Sequence, residues 1–126
     1  MPNIQRSRLM VAALVALSFI GLCSSPSPAA ASTLSATMYC TGLGGGPPRG
    51  YFYCNASVSG GSGSYSYLWQ LSSNALIDSQ SNGSSSSHID GSCRSNYSYT
   101  VTFTVTDSLG ATASSISRGF CSTIQP

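Results

Sequence analysis

The chain has 126 residues, of which only 6% are charged while 41% are hydrophobic. Its five basic residues are all Arg and its three acidic residues are all Asp. Two of the arginines, Arg6 and Arg8, lie at the N-terminus, so the remainder of the chain has no net charge. This composition excludes a disordered polyelectrolyte and a basic nucleic-acid-binding protein.

The N-terminal segment has the pattern of a secretory signal peptide. The two arginines precede an apolar run from Leu9 to Leu22, and small residues then lead to Ala31. We expect residues 1–31 to be removed after Ala31. The run is about 14 residues long, shorter than the roughly 20 of a membrane-spanning helix, so we expect a secreted protein without a membrane span. A retained anchor and lipid attachment at Cys23 are the less favoured alternatives.

Cleavage leaves residues 32–126, which suit a single domain. Four cysteines remain, Cys40, Cys54, Cys93 and Cys121. An even number of cysteines in a small exported domain predicts two disulfides. A zinc site is disfavoured because the spacing contains no C-x-x-C pair and His88 is the only histidine. We therefore expect no metal and no cofactor.

Alternating hydrophobicity predicts an all-β domain, because no segment has a helical period. The clearest alternation covers residues 51–59, 65–71 and 97–106. The expected core residues are Trp69, Tyr99, Val101, Phe103 and Val105. Tyr51 and Tyr53 are expected to point outward, since their neighbours in the sequence are apolar.

The last hairpin is predicted at Asp107 to Gly110, where Asp bonds to the turn backbone and Gly supplies a positive φ. The returning strand, 111–121, changes parity, so we expect a bulge near Ser114 and Ser115 that turns Ile116 and Phe120 inward.

The remaining strands are less regular. We expect an opening strand from Ser35 to Thr41, short edge strands around 75–80 and 86–90, and a surface loop from Gly42 to Pro48. In the polar stretch, the side chains able to dock on the core are Leu76, Ile77 and Ile89.

Seven short strands in about 95 residues predict two antiparallel sheets packed face to face. Two segments carry a resemblance to a known family: SGGSGSYSYLW at 59–69 and YTVTFTVTDSLGAT at 99–112. They resemble the polycystic kidney disease (PKD) repeat, and the resemblance covers roughly residues 50–117. It implies an immunoglobulin-like sandwich. The acidic residues that follow the Trp in that family are absent here, where QLSSN occupies 70–74.

In such a sandwich the four cysteines are expected near one pole, so their spacing leaves three pairings open. We favour Cys40 with Cys54, which are symmetric about Pro47, and Cys93 with Cys121, which flank the last hairpin.

The chain has few groups for acid–base catalysis. His88 and Asp90 could form part of a triad, but no nucleophile motif accompanies them, so we predict no enzyme. The candidate binding residues are Tyr39, Arg49, Tyr51 and Tyr53. Tyrosine gives much contact area at a small cost in side-chain entropy, and Arg49 adds a hydrogen-bonding fork. The alternative is that these rings only cover neighbouring strands and disulfides.

These features predict a secreted, monomeric, non-catalytic immunoglobulin-like module that binds an extracellular protein or glycan. The alternative is a small secreted inhibitor or small-molecule carrier. An inhibitor would use a protruding loop at Leu43 to Gly50, and a carrier would use a cleft between the sheets.

Overall fold

A computed structural model describes residues 32–122, so the predicted signal peptide lies outside the described residues. Within this range the chain is all-β, and no helix long and apolar enough to cross a membrane occurs in it. The strands are β1 (Ser35–Gly46), β2 (Arg49–Ser59), β3 (Tyr65–Leu71), β4 (Ala75–Asn82), β5 (Ser86–Arg94), β6 (Ser98–Asp107) and β7 (Thr112–Phe120). They form a larger sheet in the order β1-β2-β5-β4 and a smaller sheet in the order β3-β6-β7, with antiparallel neighbours throughout.

The core lies between the two sheets and is built from their inward rows. From the larger sheet it takes Phe52, Cys54, Ala56, Val58 and Ile89, and from the smaller sheet Trp69, Tyr99, Val101, Phe103 and Val105. The rings of Phe52 and Tyr99 stack across the two layers with centroids 4.6 Å apart. Burying each such aromatic or branched side chain stabilises the fold by about 1.5–3 kcal/mol.

The lone indole also makes a polar contact between the sheets. Trp69 Nε1 donates a hydrogen bond to Ser87 Oγ at 2.8 Å, and Ser87 Oγ donates in turn to Asn82 Oδ1 at 2.6 Å. Because Ser87 is buried, this bond satisfies a donor that water does not reach.

The two disulfides join Cys40 to Cys54 and Cys93 to Cys121, the favoured pairing. Cys40 and Cys54 are register partners on β1 and β2, with Cα atoms 4.1 Å apart. Cys93 lies near the end of β5 in the larger sheet, and Cys121 directly follows β7 of the smaller sheet. The second disulfide therefore links the two sheets, with Cα atoms 5.8 Å apart.

The expected grouping of all four cysteines at one pole is wrong. Gly50 of β2 is the register partner of Cys93, whereas Cys54 is the partner of Ile89. The four residues from Gly50 to Cys54 correspond to about 14 Å of strand, so the two disulfides lie at different heights in the sheet. The prediction failed because β1 continues beyond Thr41, which places Cys40 in the middle of its strand.

The predicted loop from Gly42 to Pro48 is also wrong. Gly44, Gly45 and Gly46 continue β1 and pair with the start of β2, so only Pro47 and Pro48, joined by a cis peptide bond, form the connection. The register shifts between Gly42 and Gly44, and Gly44 has a φ of 73°, which glycine adopts without a steric penalty. The segment from Leu43 to Gly50 is therefore a paired hairpin end and not a protruding loop.

The smaller sheet overturns the predicted bulge in β7. Its register with β6 runs without a shift from Ser98 opposite Phe120 to Thr106 opposite Thr112. Ile116 and Phe120 therefore point outward and are 62% and 59% exposed. The inward position of Gly119 has no room for a side chain, because the ring of Tyr99 fills it.

Two expectations for the polar stretch also need correction. β4 is an edge strand, but β5 lies between β2 and β4. Ile89 is fully buried, whereas Leu76 and Ile77 are exposed by 52% and 39%. A register shift between Ile77 and Ser79 accompanies this exposure on the edge strand.

Candidate functional site

The outward face of the larger sheet carries the tyrosines that the sequence singled out. On β2 the outward row is Arg49, Tyr51, Tyr53 and Asn55, because the residues between them point into the core. Tyr51 is 51% exposed and Tyr53 is half-buried. Tyr39 of the neighbouring β1 is 58% exposed and belongs to the same face. The structure therefore brings all four candidate binding residues to one surface, which we call the outward face.

Neighbouring groups hold the rings of this face. Tyr39 and Tyr53 meet edge to face, with ring centroids 6.2 Å apart and an interplanar angle of 83°. Asn55 Nδ2 donates a hydrogen bond to the Tyr39 hydroxyl at 3.1 Å. The ring of Tyr51 lies close to Gly45 of β1, where a Cβ atom would come within 3.3 Å of Tyr51 Cδ2. The aromatic surface thus includes one coupled pair and one ring that lies over glycine backbone.

Arg49 is oriented by a polar chain that the sequence did not reveal. Its Nη1 donates to Ser92 Oγ at 2.8 Å, and Ser92 Oγ donates to Asp78 Oδ1 at 3.2 Å. Ser92 is on the outward side of β5 but is only 2% exposed. The alternation could have predicted the outward position of Ser92, but not that β5 extends beyond residue 90.

An open cavity of about 320 Å³ lies at the end of the outward face, where Arg49 is located. Arg49 and Arg94 are register partners, and both border the cavity. The guanidinium carbon of Arg94 lies 4.4 Å from the centroid of the Tyr97 ring. The complete lining is Pro48, Arg49, Ser73, Asn74, Leu76, Ser92, Cys93 and Arg94.

His88 and Asp90 continue the same face on β5, beside Asn55 and Tyr53 of β2. His88 Nε2 lies 3.9 Å from Asp90 Oδ2, and Ser79 Oγ donates to that same oxygen at 2.8 Å. The serine therefore bonds to the carboxylate and not to the imidazole, which is the reverse of the order that activates a nucleophile. Within residues 32–122, no three His, Cys, Asp or Glu side chains are grouped to hold a metal ion.

Asp107 lies at the opposite end of the domain and organises the last hairpin. Its Oδ1 accepts hydrogen bonds from the backbone N–H groups of Leu109 and Ala111, and its Oδ2 accepts one from Ser62. Burial of the carboxyl group acts to raise its pKa, but the bonds from Ala111, Ser62 and Leu109 outweigh burial and lower the pKa below its ordinary value. Gly110 follows with a φ of 86°. Asp107 is therefore accounted for by the turn that it stabilises.

No protein-family model, curated protein or solved structure matches this chain.

Proposed function

We propose that residues 32–126 form a secreted, non-catalytic immunoglobulin-like module of the PKD type that binds an extracellular protein or carbohydrate. The observation that carries the proposal is the grouping of Tyr39, Arg49, Tyr51 and Tyr53 on one exposed sheet face. Tyrosine rings offer a large amphipathic contact area and lose little side-chain entropy when a ligand orders them.

The strand order supports the choice of fold family. A larger sheet of the first, second, fifth and fourth strands packs on a smaller sheet of the third, sixth and seventh. This is the arrangement of constant-type immunoglobulin domains. The signal-peptide pattern and the two disulfides support export, because disulfides persist in oxidising compartments.

The test is an array of glycans and cell-wall polymers probed with the exported protein, its disulfides oxidised. The variant carries Tyr51→Ala and Tyr53→Ala together. The matched control carries Leu68→Ala and Ile116→Ala, which remove two exposed apolar side chains from the solvent-exposed side of the smaller sheet.

We expect the tyrosine variant to lose about tenfold or more in affinity for any ligand of the outward face, since truncating one interface hot spot costs roughly 2 kcal/mol. The control should bind as the unmodified protein does. Equal binding by all three proteins would show that the tyrosines take no part in recognition.

A further inference from the structure

Two arginines border the same cavity although they carry the same charge. Arg49 and Arg94 are directly opposite on β2 and β5, an arrangement that is unfavourable between like charges. In the part of the chain that the structure describes, the one ion pair within 4.0 Å is His88 with Asp90. Neither arginine therefore forms a salt bridge there, and the cavity is bordered by two cations that a bound anion would stabilise.

Each guanidinium is oriented by a neighbouring side chain that uses few of its N–H donors. Arg49 donates one N–H group to Ser92, whose hydroxyl donates in turn to Asp78. The other N–H groups of its guanidinium can bind a ligand. Arg94 packs over the Tyr97 ring, and packing of this kind leaves the in-plane N–H groups of a guanidinium available. The side chains are thus oriented by groups that leave most of their donors for a ligand.

We propose that this cavity binds the carboxylate of an acidic polysaccharide while Tyr51 and Tyr53 contact the adjoining sugar rings. The proposal rests on the proposed function and names the class of its ligand. A guanidinium fork matches the two oxygens of a carboxylate. The two arginines together with the nearby Asp78 carry a net charge of about one, which suits a monovalent carboxylate better than a divalent phosphate.

The composition of the outward face favours a polysaccharide over a protein. Aspartate is depleted at protein interfaces, whereas this face carries Asp78, which accepts a hydrogen bond from Ser92, and Asp90, which accepts one from Ser79. Its row from Arg49 to Asn55 extends about 20 Å along the strand, so a chain of several sugars could lie on it.

The test compares the charged and the uncharged form of one ligand by calorimetric titration. The charged form is tetragalacturonate and the uncharged form is its methyl ester. The variants of the exported, oxidised protein are Arg49→Gln and Arg94→Gln. Arg118→Gln is the matched control, because it removes the same charge from an exposed position on the smaller sheet. Far-UV circular dichroism and the thermal midpoint check that each variant is folded.

We expect the acid to bind about tenfold more tightly than the ester, in line with the strength of a hydrogen bond to a charged group. Either cavity variant should abolish this preference, and Arg118→Gln should keep it. Rising salt should weaken the binding of the acid more than that of the ester.

Equal affinity for acid and ester, no binding of the acid, or an equal loss in the Arg118→Gln protein would overturn the proposal. So would a polyglutamate peptide that binds as tightly with the same dependence on Arg49 and Arg94. In each case the proposed function stands separately if the tyrosine double variant loses its array ligands.

Discussion

The two disulfides make different contributions that can be predicted from their positions. We consider two paired replacements, Cys40→Ala with Cys54→Ala and Cys93→Ala with Cys121→Ala. Alanine is chosen because Cys54, Cys93 and Cys121 are buried, where a serine hydroxyl would add an unsatisfied polar group. Each replacement removes one crosslink and two sulfur atoms.

The loop lengths set the magnitudes. The first disulfide has a sequence separation of 14 and the second of 28. The chain-entropy model gives about 3 kcal/mol for the shorter loop and about 3.6 kcal/mol for the longer one. The loops do not overlap in sequence, so we expect the two losses to add to about 6.6 kcal/mol, much of the roughly 5–15 kcal/mol that keeps a domain folded.

The assay is equilibrium unfolding in guanidinium chloride, followed by the fluorescence of the buried Trp69. We expect both variants to unfold at lower denaturant, with the Cys93 and Cys121 variant less stable by about 0.6 kcal/mol. We expect a protein lacking both disulfides to be marginally folded. A loss below about 1 kcal/mol in either variant would refute the loop-entropy reasoning. So would a loss in the Cys40 and Cys54 variant that exceeds the loss in the Cys93 and Cys121 variant by more than about 1.5 kcal/mol.

Two further predictions concern buried polar groups. Ser87→Ala leaves the Trp69 indole N–H without its acceptor, which should cost about 1–3 kcal/mol; thermal denaturation should show a lower midpoint, and a loss below about 0.5 kcal/mol would contradict the role of this bond. Asp107→Asn removes a carboxylate whose pKa is lower in the folded protein than its ordinary 3.8, so its stabilising effect is present above that pH and is lost as the pH falls through the folded pKa. The difference in thermal midpoint between the unmodified protein and Asp107→Asn should therefore be largest at neutral pH and disappear in acid. A difference independent of pH would contradict this role of the carboxylate.

Much of the fold could be predicted because side chains report the parity of a strand. The alternation in β2, β3 and β6 predicted which residues are buried, and Trp69 lies in the core. The pairing of Cys40 with Cys54 followed from their symmetry about the hairpin turn. These features are local, or depend on one turn, and the sequence contains the information that determines them.

The failures share a physical reason. The glycines of β1 carry no side chain, so no alternation reveals that they continue the strand. In β7 the apolar Ile116 and Phe120 suggested burial, but the unbroken register with β6 determines which way they point. The chain from Arg49 through Ser92 to Asp78 depends on the pairing of β2, β5 and β4, whose residues are far apart in the sequence.

The cavity and the disulfide between the sheets share the same two strands. Gly50 and Cys93 are register partners that point inward, and Gly50 lies so close to Cys121 that a Cβ atom there would be 2.8 Å from its sulfur. The next residue on each strand points outward: Arg49 on β2 and Arg94 on β5. The alternation of side chains thus places the Cys93–Cys121 disulfide on the inner side of the larger sheet. It places the two arginines on the outer side, at the same position along the strands. Strands held in this way preorganise the arginines, so a ligand that bridges them would lose little affinity to the ordering of the protein.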